Sequence, residues 1–276
     1  MGLFSKKYCC ICGEKVGLLG GLKLKDGDLC KECKKKLSPF FDDGKESTIE
    51  DIKKQLAYRE ENYKQLDSLE INKIYGEFGV ILIDEKNKKF VAITDTSDGL
   101  FKDQKIVKGI EDVKDKNPDI IDFKDIQDVE VKIIQTNREE KQTINGEQVS
   151  YDPKHYTYMI GFDIIIRVNH PYIKTMRISI KNGTVQIYNE GLRAKDDYIT
   201  GFVKDTLGLK RIENKEVHYE IHFDNLTIKT LVDKAMQEMP DYSYGFKCSL
   251  KNYEHIKEYA YYLALCDEIK TTLLGL

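Results

Sequence analysis

Two Cys-x2-Cys pairs within the first 36 residues constrain this chain more than any other feature in it. Cys9 and Cys12 are answered by Cys30 and Cys33 after 17 intervening residues. Four thiolates so spaced have the donor type and pairing of a tetrahedral zinc site. They also fill the coordination sphere and leave no position for water or substrate. One structural Zn2+ is therefore expected, not a catalytic one. A segment this short buries little apolar surface, so the ion should supply much of its folding energy.

Local signals agree with a treble-clef or zinc-ribbon-like module. Gly13 relaxes the turn after the first pair, and Leu22, Leu24 and Asp26-Gly27-Asp28 fit a central hairpin. The second pair opens a short helix over Lys31–Leu37, which Pro39 ends. Cys10 with Cys12 would leave a single intervening residue, so Cys10 is read as a bystander; a shuffled ligand set or a redox-sensitive thiol stays open. A thioredoxin-like motif would need one pair beside a βαβ unit, and the spacing is not that of ferredoxin clusters.

Composition sets the outer bounds. The 276 residues are 41% hydrophobic and 33% charged with a net charge of -3, as in a soluble globular protein, and cytoplasm is the expected location. No run approaches the roughly 20 apolar residues that span a bilayer, so no transmembrane segment is expected. The N-terminus lacks a signal-peptide core, and Ser5 falls one position short of the myristoylation pattern. Cys248 and Cys266 stand alone, which argues against a disulfide scaffold; Cys266 lies in an apolar helical stripe and reads as core.

The fold class expected is α+β, in three parts. Residues 1–41 form the four-cysteine zinc-binding module and residues 42–70 an amphipathic linker helix. Residues 71–276 form a strand-rich body: a curved antiparallel sheet or pleckstrin-homology-like barrel with a C-terminal helix. The linker is capped by Ser47 with Glu50, or by Thr48 with Asp51 one residue on. It runs to Leu69 with Ile49, Ile52, Leu56, Tyr63, Leu66 and Leu69 on its apolar side and Arg59 among the solvent-facing remainder. In the body, Phe78–Ile83 and Lys89–Ile93 read as a hairpin, and Asp119–Ile134 as strand with a break near Lys124-Asp125. Alternation at Tyr158–Val168 and Met176–Ile180 marks the clearest strand pair, before an Asn182-Gly183 turn. Val217–Phe223 reads as a strand, Tyr198–Leu207 and Leu226–Met239 as helical, and Tyr253–Leu273 as the closing helix.

Candidate catalytic sets are weak. His218, Glu220 and His222 alternate, but the outer two would lie about 13 Å apart on an extended strand and cannot share one ion. His170 precedes Pro171 and reads as a turn residue bonding to backbone. His155 and His255 have no recognisable partners, and the Asp95, Asp98 and Asp103 spacing is not that of a calcium loop.

The segments KKYCCICGEK (Lys6 to Lys15), DGDLCKEC (Asp26 to Cys33) and KKLSPFF (Lys35 to Phe41) resemble bacterial proteins, mostly of Firmicutes, that open with the zinc-finger domain of unknown function 4428. The similarity runs on through QLAYREEN at Gln55 to Asn62, IDEKNKKF at Ile83 to Phe90 and VNHPY at Val168 to Tyr172, and so through most of residues 1–190. It implies zinc on Cys9, Cys12, Cys30 and Cys33. Cys10 departs from the usual family pattern, in which that position is typically acidic. The family implies no activity.

The expected function is a zinc-binding, non-enzymatic adaptor with a protein partner. The alternative is nucleic-acid binding by the finger, whose first 36 residues hold nine lysines against four acids; a tetrathiolate zinc centre would leave about +3. Peripheral lipid binding by a barrel-like body is a third class, by analogy of fold. Nothing in the sequence specifies the oligomeric state.

Overall fold

The computed structural model describes residues 7–17, 19–41, 44–95, 106–189, 209–211, 219–221 and 250–275. The expected helices at Tyr198–Leu207 and Leu226–Met239 lie outside these residues, as do Asp98, Asp103, His218, His222 and Cys248. Two units are distinguished. The first comprises Met1–Lys132, Asp163–Asn182 and Ile269–Leu276, and the second Ile133–Phe162 and Gly183–Glu268.

The first unit starts with a small β/α module. Two short antiparallel strands, β1 (Leu22–Lys23) and β2 (Asp28–Leu29), precede helix α1 (Lys31–Lys35). Leu24, Leu29 and Leu37 pack with Cys9, Cys30 and Cys33 in one cluster, which also takes Ile52 from the next helix. That helix, α2 (Ile49–Gln65), starts at a full Thr48–Asp51 capping box, the alternative register of the sequence. Its α-helical bonding stops at Gln65 and a 3-10 turn, Leu66–Ser68, carries the chain on.

Helix α2 is packed at both ends. Ile52 belongs to the cysteine-lined core, whereas Leu66 joins Val80, Leu82, Val91, Ile93, Ile110 and Val113 in a second core. The middle of its buried face is polar: Gln55, Arg59 and Asn62 lie between those two isoleucine and leucine anchors. Tyr63, expected in the apolar stripe, is exposed. Arg59, expected in solvent, is only 4% exposed. Its Nη1 donates to Asp119 Oδ1 at 2.8 Å, and its Nε donates to the Lys36 carbonyl at 3.3 Å. Asp119 Oδ2 accepts from Ser38 Oγ at 2.7 Å. Asn62 completes the junction, donating to the Pro118 carbonyl at 2.8 Å and accepting from the Ile120 N–H at 2.8 Å. Sequence periodicity ranked Arg59 by its charge; its acid lies 60 residues away and is invisible to a local pattern.

The sheet that Asp119 adjoins has the order β3-β4-β5-β6, antiparallel throughout, from β3 (Lys73–Tyr75), β4 (Val80–Asp84), β5 (Lys89–Ile93) and β6 (Ile120–Asp122). The β4–β5 hairpin is the one expected. Asp84 holds its turn by accepting from the Asn87 backbone and side chain and from the Glu70 N–H. Burial opposes ionisation of Asp84, but these donors outweigh it and lower its pKa.

A 3-10 turn at Phe123–Asp125, the expected break, leads into two long strands, β7 (Ile126–Ile144) and β8 (Glu147–Val168). Asn145 and Gly146 join them, with φ of 52° and 86°, the left-handed pair that a two-residue hairpin needs. This Asn-Gly turn is the strongest local signal that the sequence reading passed over. Within the first unit, β8 pairs with β9 (Thr175–Ser179) from Asp163 to Arg167, and the Glu77 and Gly79 N–H groups donate to the Ile180 and Ser179 carbonyls. Within the second, β8 pairs with β10 (Val185–Asn189), and β11 (Leu209–Arg211) pairs with β12 (Tyr219–Ile221). Among the described residues both four-stranded sheets are open. A closed barrel would need pairing between the outer strands, and among these residues β3 and β6 have no such pairing.

The last helix, α3, spans Leu250–Leu274. In the second unit Tyr259 and Tyr262 pack on Phe162 at centroid distances of 5.4 and 5.5 Å, and Cys266 is fully buried, as its stripe implied. In the first unit Ile269 and Leu273 are buried and the Tyr75 and Thr272 hydroxyls are 3.2 Å apart.

Removing one member of the Arg59–Asp119 pair strands a charge in the interior. Arg59→Met and Asp119→Leu are each expected to lower stability by about 3–5 kcal/mol, and the double variant to recover part of that loss. Urea unfolding of the parent chain and the three variants measures it.

Candidate metal centre

Backbone geometry brings the four expected cysteines together. The first pair sits on a knuckle in which the Gly13 N–H donates to the Cys9 carbonyl at 2.9 Å, and Gly13 takes the positive φ (75°) that closes it. Cys9 donates its N–H to the Glu14 carbonyl, and a Tyr8–Lys15 bridge closes the loop's ends. The Cys10 N–H donates to the Asp28 carbonyl at 2.9 Å and ties the knuckle to β2. The second pair opens α1: Cys30 is its N-cap, and the Cys33 N–H donates to Cys30 Sγ at 3.4 Å. That bond orients a sulfur while leaving its remaining lone pairs for an ion.

The four Sγ atoms lie within 4.8 Å of one another, and those of Cys12 and Cys30 are 3.6 Å apart. A tetrahedron with Zn–S of about 2.3 Å has S···S edges of about 3.8 Å. The cluster therefore fits a single tetrahedral ion. Cys9, Cys30 and Cys33 are buried and Cys12 is exposed.

The clustered sulfurs oppose one another's ionisation. Burial opposes ionisation of Cys9, but the Cys12, Cys30 and Ile11 backbone donors and the Cys12 thiol outweigh it and bring its pKa down to about 6. Burial and the neighbouring sulfurs push Cys33 well up. One thiolate thus forms readily and hinders the next, a repulsion that a divalent cation relieves. Cys10 is not part of the cluster. Burial and the Cys9 charge raise its pKa.

The histidines are placed elsewhere. His170 is in the turn after β8: its Nδ1 accepts from the Tyr172 N–H at 3.3 Å, and its Nε2 is 3.0 Å from the Tyr58 hydroxyl. Burial lowers its pKa against the opposing pull of Asp119 and Asp125. His255 lies on α3, 3.6 Å from Glu258. The residues that periodicity missed are Arg59, Asp119 and Ser38, which fix the module to the sheet; QLAYREEN and the Asp119 region carried no motif that pairs them.

A four-cysteine metal-chelating module on a β/α scaffold is thus the class of site defined here. Residues 7–55 match the model of a domain of unknown function, DUF4428. No curated protein and no solved structure matches the chain. No helix among the described residues is long and apolar enough to cross a membrane.

Cobalt(II) added to the reduced chain is expected to give thiolate-to-metal charge-transfer absorption, which Cys12→Ser weakens and Cys10→Ser leaves intact. Because His170 is protonated less readily when folded than when unfolded, stability should fall as pH drops below the ordinary histidine value of 6.5. Denaturant unfolding from about pH 7.5 down to about pH 5 should show a shallower fall in His170→Gln.

Proposed function

We propose that the chain is a zinc-organised, non-catalytic adaptor that presents a rigid finger and a strand-rich surface to a protein partner. The observation that carries this reading is the convergence of four sulfurs on one ion-sized volume. Cys9, Cys12, Cys30 and Cys33 would hold one Zn2+, which would be structural because no coordination position is left for a reactant. The order knuckle, hairpin, second knuckle at a helix start supports a treble-clef-like reading of residues 1–41. The packing of α2 at both ends supports its role in the 42–70 segment as a strut. Residues 71–276 would then share recognition with the finger, and the resemblance to the DUF4428 proteins would extend beyond the matched segment.

The ion's part is to fold a surface. Loss of metal should therefore abolish partner capture without altering the β-sheet signal. Crosslinking and affinity capture with the intact zinc-loaded chain, and with Cys12→Ser, tests this. A partner retained equally by both would remove the finger from recognition. Zinc below one ion per chain in reduced protein would remove the structural role.

A further inference from the structure

A cleft of about 810 Å³ lies in the first unit, walled by α1, the 44–46 turn, the end of β5 and the 116–118 segment. Its volume is within the ordinary range of small-molecule sites, about 300–1,000 Å³. Its charge is one-sided. Among the described residues, Lys31, Lys34, Lys35, Lys45, Lys116 and Arg59 line it, against Glu46 and Asp95. Arg59 is committed to Asp119, Lys35 to Glu32 at 3.0 Å, and Glu46 is itself drawn to Lys25 at 3.6 Å. Lys31, Lys34 and Lys45 have no acidic partner among the described residues. The Lys31 stem lies along Gly20, where a Cβ would come within 3.1 Å of its Cδ.

Lys31, Lys34 and Lys35 stand at i, i+3 and i+4 on α1 and share one face. Cys30 and Cys33, one position earlier in the same spacing, face the metal cluster instead. The finger thus uses one side of α1 for sulfur and another for charge. Leu22, Leu37, Pro39, Phe41 and Ile93 give the cleft apolar surface beneath that charge.

The geometry points to a binding site for a phosphorylated small molecule of nucleotide type. Three ammonium groups with no acidic partner among the described residues match a polyphosphate, and the Phe41–Pro39 wall offers a surface to a flat organic body. An extended nucleic acid would be served by a track of cations along an open groove with stacking aromatics. Here the lysines line a concave volume, with one aromatic ring among its described lining residues. The site does not depend on a protein partner, so it stands if the adaptor reading fails.

The test uses the full, reduced, zinc-loaded chain and a fluorescent trinitrophenyl-ATP probe. Saturable binding at one site is expected, displaced by unlabelled ATP and weakened by salt. Lys34→Glu and Lys45→Glu, on different walls, should each weaken it by about tenfold or more, the loss of a hydrogen bond to a charged group. Lys54→Gln, on α2 outside the cleft, should leave it unchanged. Metal content and circular dichroism identify any variant that has unfolded, and the other variant then decides. Absence of saturable binding at millimolar ATP would overturn the proposal. Binding indifferent to both charge reversals would do so as well. Tighter binding of single-stranded oligonucleotide than of ATP, lost in the same variants, would transfer the site to nucleic acid.

Discussion

The buried ion pair between Arg59 and Asp119 is the interaction on which the first unit depends. Both side chains are almost wholly removed from water, at 5% and 0% exposure. A lone charge in either position would be severely unfavourable, so the pair specifies its own geometry. Asp119 receives Ser38 from the cysteine module as well as Arg59 from α2, and Arg59 also binds the module's Lys36 carbonyl. A module, a helix and a sheet edge therefore share one polar junction. Hydrophobic contact alone would hold them together without fixing their register, because apolar packing is non-directional.

The metal cluster works at a different level. The module's own core is a handful of leucines and the cysteines themselves, too little apolar surface to order a segment of this length unaided. A tetrahedral ion would close the knuckles and leave α1 with a sulfur-bearing face and a lysine-bearing face. Ile52 inserts from α2 into that core, so the helix is anchored to the module by packing and to the sheet by charge. The basic cleft is a consequence of this arrangement. Fixing the module beside the end of β5 turns lysines that would otherwise spread over a small solvated domain into one wall of a concavity.

Where the sequence was legible, the reason was locality. Both members of each cysteine pair are one turn apart, the β4–β5 hairpin lies on either side of its charged turn, and alternation from Ile160 to Val168 marks a strand whose Ile160, Phe162, Ile164, Ile166 and Val168 are all buried, as are Asp163 and Ile165 on its other face. Cys266 followed from helical spacing alone. The misplacements share a cause. Periodicity sorted α2 by side-chain polarity, which set Arg59 outside and Tyr63 inside, whereas burial is decided by what lies opposite. Gln55 shows the same override: it is 1% exposed, and neither its amide nitrogen nor its amide oxygen has a hydrogen-bond partner among the described residues.

The sequence by itself determined the donor set, the knuckle turns, the capping box and the hairpins, since each is settled by residues within a few positions of one another. Tertiary structure alone decided that the sulfurs of two separate pairs meet within one ion's reach. It also decided that Arg59 faces an acid 60 residues away, that β3 and β6 stay unpaired with each other and that the lysines of α1 line a cleft. Those outcomes depend on distances through space, and chain order carries no information about which distant charges the fold will bring together.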